Sequence, residues 1–237
     1  ITERHISFAL AHKLTERFGK GAKLVNFYKN TMNLPLRAKS ETFLLDENNP
    51  VYHYDLLSAI KSDMIDMFYI PATDECPDVC EALSVAAENG CISAYAYLGD
   101  VGQSVTGDKK PQKFEDDYIE ELFSVISELG FNAVTYMPSR NTMEQLRVVK
   151  DLCIKHDLFQ ISGEDINSPR QGFICRAMRD EAFSNLVDST WALIGHEKLA
   201  TDNLDNSMFG PQICSIKPTL GERLPDYMAA GRSIGER

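Results

Sequence analysis

The sequence predicts an α/β chain built from parallel β/α units. Three observations carry this. Short apolar runs without alternation recur at residues 67–70, 91–97, 131–136 and 158–161, as strands buried on both faces require. Each run is followed by a polar turn rich in Pro, Gly or acid, and then by a segment of helical period. Gly90, Gly130 or Asp157 then precedes the next run, so the same grammar repeats along the chain.

Residues 2–18 place Ile6, Leu10, Leu14 and Phe18 four apart, with Glu3 and Arg4 near the start; this is a helix with one apolar face. Gly19 and Gly21 break it, and residues 22–32 read as a second, shorter helix. Residues 33–52 hold two prolines and few periodic positions, the pattern of a connector. Helical spacing returns over 54–66 through Leu57, Ile60 and Ile65. The run 67–70 is the first expected strand, stopped by Pro71 and followed by a helix over 77–89. The second strand, 91–97, leads through a polar insertion at 102–113 to a helix over 115–129. The third, 131–136, passes through Met137, Pro138, Ser139 and Arg140 into a helix over 142–156. The fourth, 158–161, opens into the acidic turn 163–169 and more helix. A helical stretch through Trp191 and Leu193 follows, with Gly195, His196 and Glu197 near its end. The segment from 216 carries two prolines and three glycines and reads as a wrapped or loose C-terminus. The expected organisation is a helical segment and connector over 1–66, a parallel β/α core over 67–178, and a C-terminal helix and tail over 179–237.

Composition narrows the function classes. The 237 residues include 24 Lys and Arg against 35 Asp and Glu, a net charge of −11, with 43% apolar and 25% charged residues. Such acidity argues against nucleic acid or an anionic membrane as partner, since both reward a clustered basic surface. No apolar run is long enough to span a bilayer. Six cysteines stand at 76, 80, 91, 153, 175 and 214. Cys91, Cys153 and Cys175 read as small core residues. Cys76 and Cys80 have a spacing that could seed a metal site, but no second pair follows, and the start of a helix is the simpler reading. No leader pattern is visible in residues 1–19, and a reducing cytoplasm is the expected setting. There is no dinucleotide fingerprint, Walker motif, nucleophile elbow or HExxH.

Parallel strands joined by right-handed crossovers send their polar turns to one rim. Both a barrel and an open sheet place ligand sites there. The residues expected at that rim are Thr73, Asp74, Asp100, Ser139, Arg140, Glu164, Asp165 and Asn167. Asp165 and Glu164 offer hard oxygen ligands, Asn167 a neutral one, and Arg140 a planar fork for phosphate. The same turn also reads as an Asx-type cap with its acids in water. His5 and His12 share a helix face, His53 sits between two tyrosines, and His156 closes a helix. His196 reaches the rim only if the C-terminal helix folds back.

Residues 133–145 (AVTYMPSRNTMEQ), a helix, and residues 159–167 (FQISGEDIN) resemble the closing part of PHP domains. This is the polymerase and histidinol phosphatase family of metal-dependent phosphoesterases. Residues 90–97 (GCISAYAY) are similar to an earlier strand of that family, so the resemblance covers about 68–170. It implies a distorted seven-stranded β/α barrel whose rim holds divalent metal, Mn, Zn or Mg, for phosphate-ester hydrolysis. Matched position by position, Asp165 retains the family's aspartate. Tyr97, Arg140 and Asn167 stand where the family has histidines, and the opening HxH is absent. The helical start at Ile1, without Met, fits the C-terminal portion of a longer protein whose HxH strand lies upstream.

The expected activity is therefore that of a PHP-like phosphoesterase or its C-terminal portion, acting on a small phosphorylated or anionic molecule. Asp165 and Arg140 carry the chemistry. Glu164, Asn167 and Asp100 join Asp165 as metal ligands, with Tyr97, Ser139 and His196 as further rim groups. The alternative is a non-catalytic PHP-like binding or scaffold domain that has lost the metal centre. A third reading is an unrelated α/β enzyme using carboxylate chemistry.

Overall fold

The computed structural model describes residues 2–71, 73, 76–102, 112–166 and 168–234. The chain divides into two units: Ile1–Cys76 with Ile166–Phe173, and Pro77–Asp165 with Ile174–Arg237. These bounds differ from the sequence expectation at both ends of the β/α core. A short segment after the third strand belongs with the N-terminal helices, and the C-terminal helices belong with the sheet.

The first unit contains α1 (Glu3–Phe18), α2 (Ala22–Asn26), α3 (Ala38–Leu45) and α4 (Tyr52–Phe68), with one π-helical turn, Phe27–Thr31, after α2. Its core gathers Ala11, Leu24, Val25, Tyr28, Leu44, Tyr52, Leu56 and Ile60. α1 packs along α4 and buries Ser7 and Ala11, while Ile6 remains 39% exposed. The buried stripe is thus rotated from the one the large side chains suggest, because small residues let two helix backbones approach. Tyr52 is buried, and its hydroxyl donates to the Leu44 carbonyl (2.9 Å) and accepts from the Gly21 amide (3.0 Å). No desolvated polar valence is left over.

Two expectations fail in this unit. The connector over 33–52 contains α3, whose eight residues bury only Leu44 completely, too little to register as a period. The run 67–70 is not a strand: α4 continues through Phe68, and Ile70 is 84% exposed. Periodicity cannot separate a four-residue apolar run from the last turn of a helix.

The second unit contains α5 (Val79–Glu88), β1 (Ala94–Ala96), α6 (Ile119–Leu129), β2 (Ala133–Tyr136), α7 (Met143–Lys155) and β3 (Phe159–Ser162). α8 (Ser184–Asp202), α9 (Pro211–Ile216) and α10 (Leu220–Arg232) follow. The strands are parallel in the order β1-β2-β3, Ala94 lying opposite Ala133 and Ala133 opposite Phe159. Among the described residues the sheet is three-stranded and open. Crossovers of one hand put α6 and α7 on the same face. There Val134 and Tyr136 meet Phe123, Ile126, Leu146, Val149, Leu152 and Cys153. Ala133 and Phe159 face the other way, against Ala192, Met208, Leu220 and Tyr227. Each fully buried Phe or Leu here contributes about 1.5–3 kcal/mol. α7 begins where the sequence marks it. The Gln145 amide donates to Thr142 Oγ1 (3.2 Å), and the Thr142 amide donates to Gln145 Oε1 (2.8 Å), a reciprocal cap.

The segment from 216 is not a loose tail. Thr219 and Glu222 cap α10 in the same manner. Gly231 and Gly195 are the points at which α10 and α8 touch. A Cβ on Gly195 would lie 1.9 Å from the Tyr227 carbonyl oxygen, and one on Gly231 2.0 Å from that of Trp191. Gly195 and Gly231 are thus contact residues between the two helices. Among the described residues no helix is long and apolar enough to cross a membrane.

Candidate functional site

Three turns leave the carboxyl ends of the strands in the second unit: 97–100 after β1, 137–141 after β2, and 163–165 after β3. The last two are joined directly. Glu164 Oε1 accepts from the Ser139 amide (2.8 Å), and Oε2 accepts from the Ser139 hydroxyl (2.5 Å). This two-point clamp ties the turn that carries Arg140 to the turn that carries Asp165. Arg140 is half-exposed, and its guanidinium carbon lies 5.5 Å from the centroid of the Phe114 ring, within cation–π range. Among the described residues it forms no ion pair. Asp165 is exposed beside Glu164.

The first two turns are joined by amides and acids. Asn141 Nδ2 donates to the Leu98 carbonyl (2.8 Å), while its Oδ1 accepts from the Met137 amide (3.0 Å). Gln145 Nε2 donates to the Asp100 carbonyl (2.8 Å) and to Asp116 (2.6 Å). Glu115 is 4% exposed and accepts from the Tyr95 hydroxyl (3.1 Å) and the Leu98 and Gly99 amides (3.2 and 2.9 Å). Asp116 accepts from the Tyr97 hydroxyl (2.6 Å) and the Asp100 amide (3.1 Å). Asp100 Oδ1 in turn accepts from the Phe114 amide (2.6 Å). Gly99 sits at φ +67°, and a Cβ there would lie 2.7 Å from Asn141 Nδ2. No side chain fits at that crossing.

Burial, and after it the hydrogen bond to Asp116, holds the Tyr97 hydroxyl well above the ordinary tyrosine pKa. Burial followed by Glu115 does the same for Tyr95. Both phenols keep their protons and act as donors to carboxylates. Tyr97 is therefore a core residue, 1% exposed, and not an open rim group.

The structure thus places Asp100, Ser139, Arg140, Glu164 and Asp165 on strand-end turns, and brings Ser139 and Glu164 into contact. His196 is elsewhere. Its ring is buried, Nδ1 accepts from the Met208 amide (3.0 Å), and it also hydrogen-bonds the backbone of Gly90. Gly90 precedes β1, so this is the amino end of the sheet, opposite the rim. Burial lowers the His196 pKa, which suits a neutral structural imidazole. Thr73 belongs to the other unit; Asp74 and Asn167 lie outside the described residues.

Other candidates resolve into local structure. The His5 ring accepts from the Thr2 amide at the start of α1 (3.1 Å), whereas His12 stacks on His53 with centroids 4.0 Å apart. Cys76 and Cys80 are exposed on either side of Asp78, which caps α5 by accepting from the Cys80 amide (2.8 Å). Glu115, Asp116, Asn141 and Gln145 were not expected as rim groups. Three consecutive acids at 115–117, just before a helix, were the signal available.

A divalent cation would need several hard donors converging on one point. Among the described residues no group of three or more His, Cys, Asp or Glu is arranged to hold one. Both oxygens of Glu164 and one of Asp100 already accept hydrogen bonds. This donor set does not suit a metal ion unaided. The Arg140 guanidinium does suit an oxyanion, whereas both Ser139 donors are already given to Glu164. No family model, curated protein or solved structure matches the chain.

Proposed function

We propose that the chain is the C-terminal portion of a PHP-like, distorted seven-stranded β/α barrel, and that its rim recognises a small phosphorylated or anionic molecule at Arg140. The observation that supports this most is the Glu164 clamp on Ser139, because it holds Arg140 and Asp165 on adjoining turns. A guanidinium offers phosphate a planar two-point fork. Stacking of Arg140 on Phe114 limits the rotamer freedom that binding must remove. Asp165 is the carboxylate that the resemblance matches to a metal ligand. Mn, Zn or Mg would supply Lewis-acid activation for ester hydrolysis. In this reading such an ion needs ligands beyond the described residues, and no hydrolytic step is assigned to them. Exposed, unpaired thiols at Cys76, Cys80 and Cys91 suit a reducing, cytoplasmic setting.

A second reading is favoured by the internal hydrogen bonds of Asp100, Glu115, Asp116 and Glu164: a binding or scaffold domain that keeps the architecture without the metal centre. Calorimetric titration with inorganic phosphate and p-nitrophenyl phosphate, with hydrolysis followed in added Mn²⁺ or Zn²⁺, tests both. Saturable binding that weakens about tenfold or more in Arg140→Ala supports anion recognition. Metal-dependent turnover abolished by Asp165→Ala supports the phosphoesterase. Binding without turnover, indifferent to Asp165→Ala, supports the scaffold. Wild-type protein that binds neither compound overturns both readings.

A further inference from the structure

In the first unit three side chains form a built receptor for a guanidinium. Asp55 on α4 and Asn49 just before it are 8% and 4% exposed, and Phe43 on α3 supplies a flat face. Arg170 fills the receptor. Its Nε donates to Asp55 Oδ1 (2.6 Å), and its Nη2 donates to Asp55 Oδ2 (2.7 Å) and Asn49 Oδ1 (3.3 Å). The guanidinium carbon lies 3.6 Å from the Phe43 ring centroid. Asn49 Nδ2 donates to Asp55 Oδ2 (2.6 Å) and to the Phe43 carbonyl (3.1 Å), so the carboxylate is oriented from behind. A two-point fork stacked on a ring is the geometry that lysine cannot reproduce.

Arg170 arrives from a distant part of the chain. It belongs to Ile166–Phe173, the segment that begins directly after Glu164 and Asp165. A local turn presents it: the Ser168 amide donates to Gln171 Oε1 (2.8 Å), and the Gln171 amide to the Ser168 carbonyl (3.0 Å). The flanking apolar side chains do not anchor the segment, since Ile166 is 50% and Phe173 89% exposed.

We infer that Arg170 is the latch of its own segment: seated in the receptor of Phe43, Asn49 and Asp55, it holds Ile166–Phe173 to the helices of the first unit.

Hydrogen exchange on the full chain tests the latch. In Arg170→Ala, amides over 168–173 should exchange about tenfold faster or more, with the helices of the first unit little changed. Arg170→Lys should recover only part of the protection. Asp55→Asn, which keeps the shape of the receptor but removes its charge, should loosen the same amides. Unchanged exchange in Arg170→Ala or in Asp55→Asn, or full protection in Arg170→Lys, would overturn the latch.

Discussion

Replacing Gly195 by Ala tests the packing that holds α8 and α10 together. The new Cβ would lie 1.9 Å from the Tyr227 carbonyl oxygen and 2.9 Å from the Gly231 amide nitrogen. Ordinary contact begins near 3.4 Å, so the helices must separate by about 1.5 Å at this crossing. The obstacle is backbone, and no rotamer change relieves it. Overpacking of this kind costs about 3 kcal/mol at the upper end of the usual range, and the better helix propensity of Ala returns about 1 kcal/mol. The net loss of about 2 kcal/mol lowers Tm by about 4–8 °C in a chain of this size. Gly221, also in α10, has nothing within 4 Å of its Cβ position. There the same substitution should gain up to about 1 kcal/mol. Thermal melts followed by circular dichroism read both. A Gly195→Ala protein as stable as wild type would refute the close-approach reasoning.

Three further outcomes follow from the same physical reasoning. Glu115→Ala leaves the buried Leu98 and Gly99 amides and the Tyr95 hydroxyl without their acceptor, at a net cost of about 3 kcal/mol. Glu115→Gln keeps one acceptor and should lose about half as much, and equal urea midpoints for the two variants would sink the network. Burial holds the His196 pKa below its usual value, against the opposing pull of the Gly90 backbone and Glu197. As pH falls below about 6.5 the unfolded chain therefore takes up the proton first, and stability is lost down to the lowered folded pKa. His196→Asn, which keeps an acceptor for the Met208 amide, should flatten that slope between about pH 7.5 and about pH 5. Burial pushes the Cys153 thiol up to about 12, so a thiol reagent at about pH 8 should label Cys76, Cys80 and Cys91 in the native protein and Cys153 only after unfolding. Rapid native labelling of Cys153 would mean that the core under α7 is open.

Much of the β2–α7–β3 unit is legible in the sequence, because its signals are local. Thr142 and Gln145 mark a helix start by themselves, and 131–136 is apolar on both sides as a buried strand must be. What stays hidden is decided by distant partners. α3 owes its existence to contacts with α2 and α4 rather than to any period of its own. Gly195 and Gly231 look like interruptions until the two helices are seen to cross there. At the rim, the positions of Arg140, Glu164 and Asp165 follow from the parallel topology. The use of Glu164 as a clamp does not, since its partner lies 25 residues away in the preceding turn. Tyr97 could be placed at the end of a strand, but its burial and its bond to Asp116 depend on a segment that follows the polar insertion. His196 was tied to the rim by a folding-back of the C-terminal helices. They do pack on the sheet, with His196 at its other end.

Titration of ¹⁵N-labelled protein with inorganic phosphate tests the central claim most directly. If Arg140 and the clamped turns form an anion site, the amides of Ser139, Arg140 and Asn141 and of Glu164 and Asp165 should shift together along one saturable curve. The same shifts should be absent in Arg140→Ala. Shifts scattered over exposed lysines and arginines, or a curve unchanged by Arg140→Ala, would contradict an anion site at this rim.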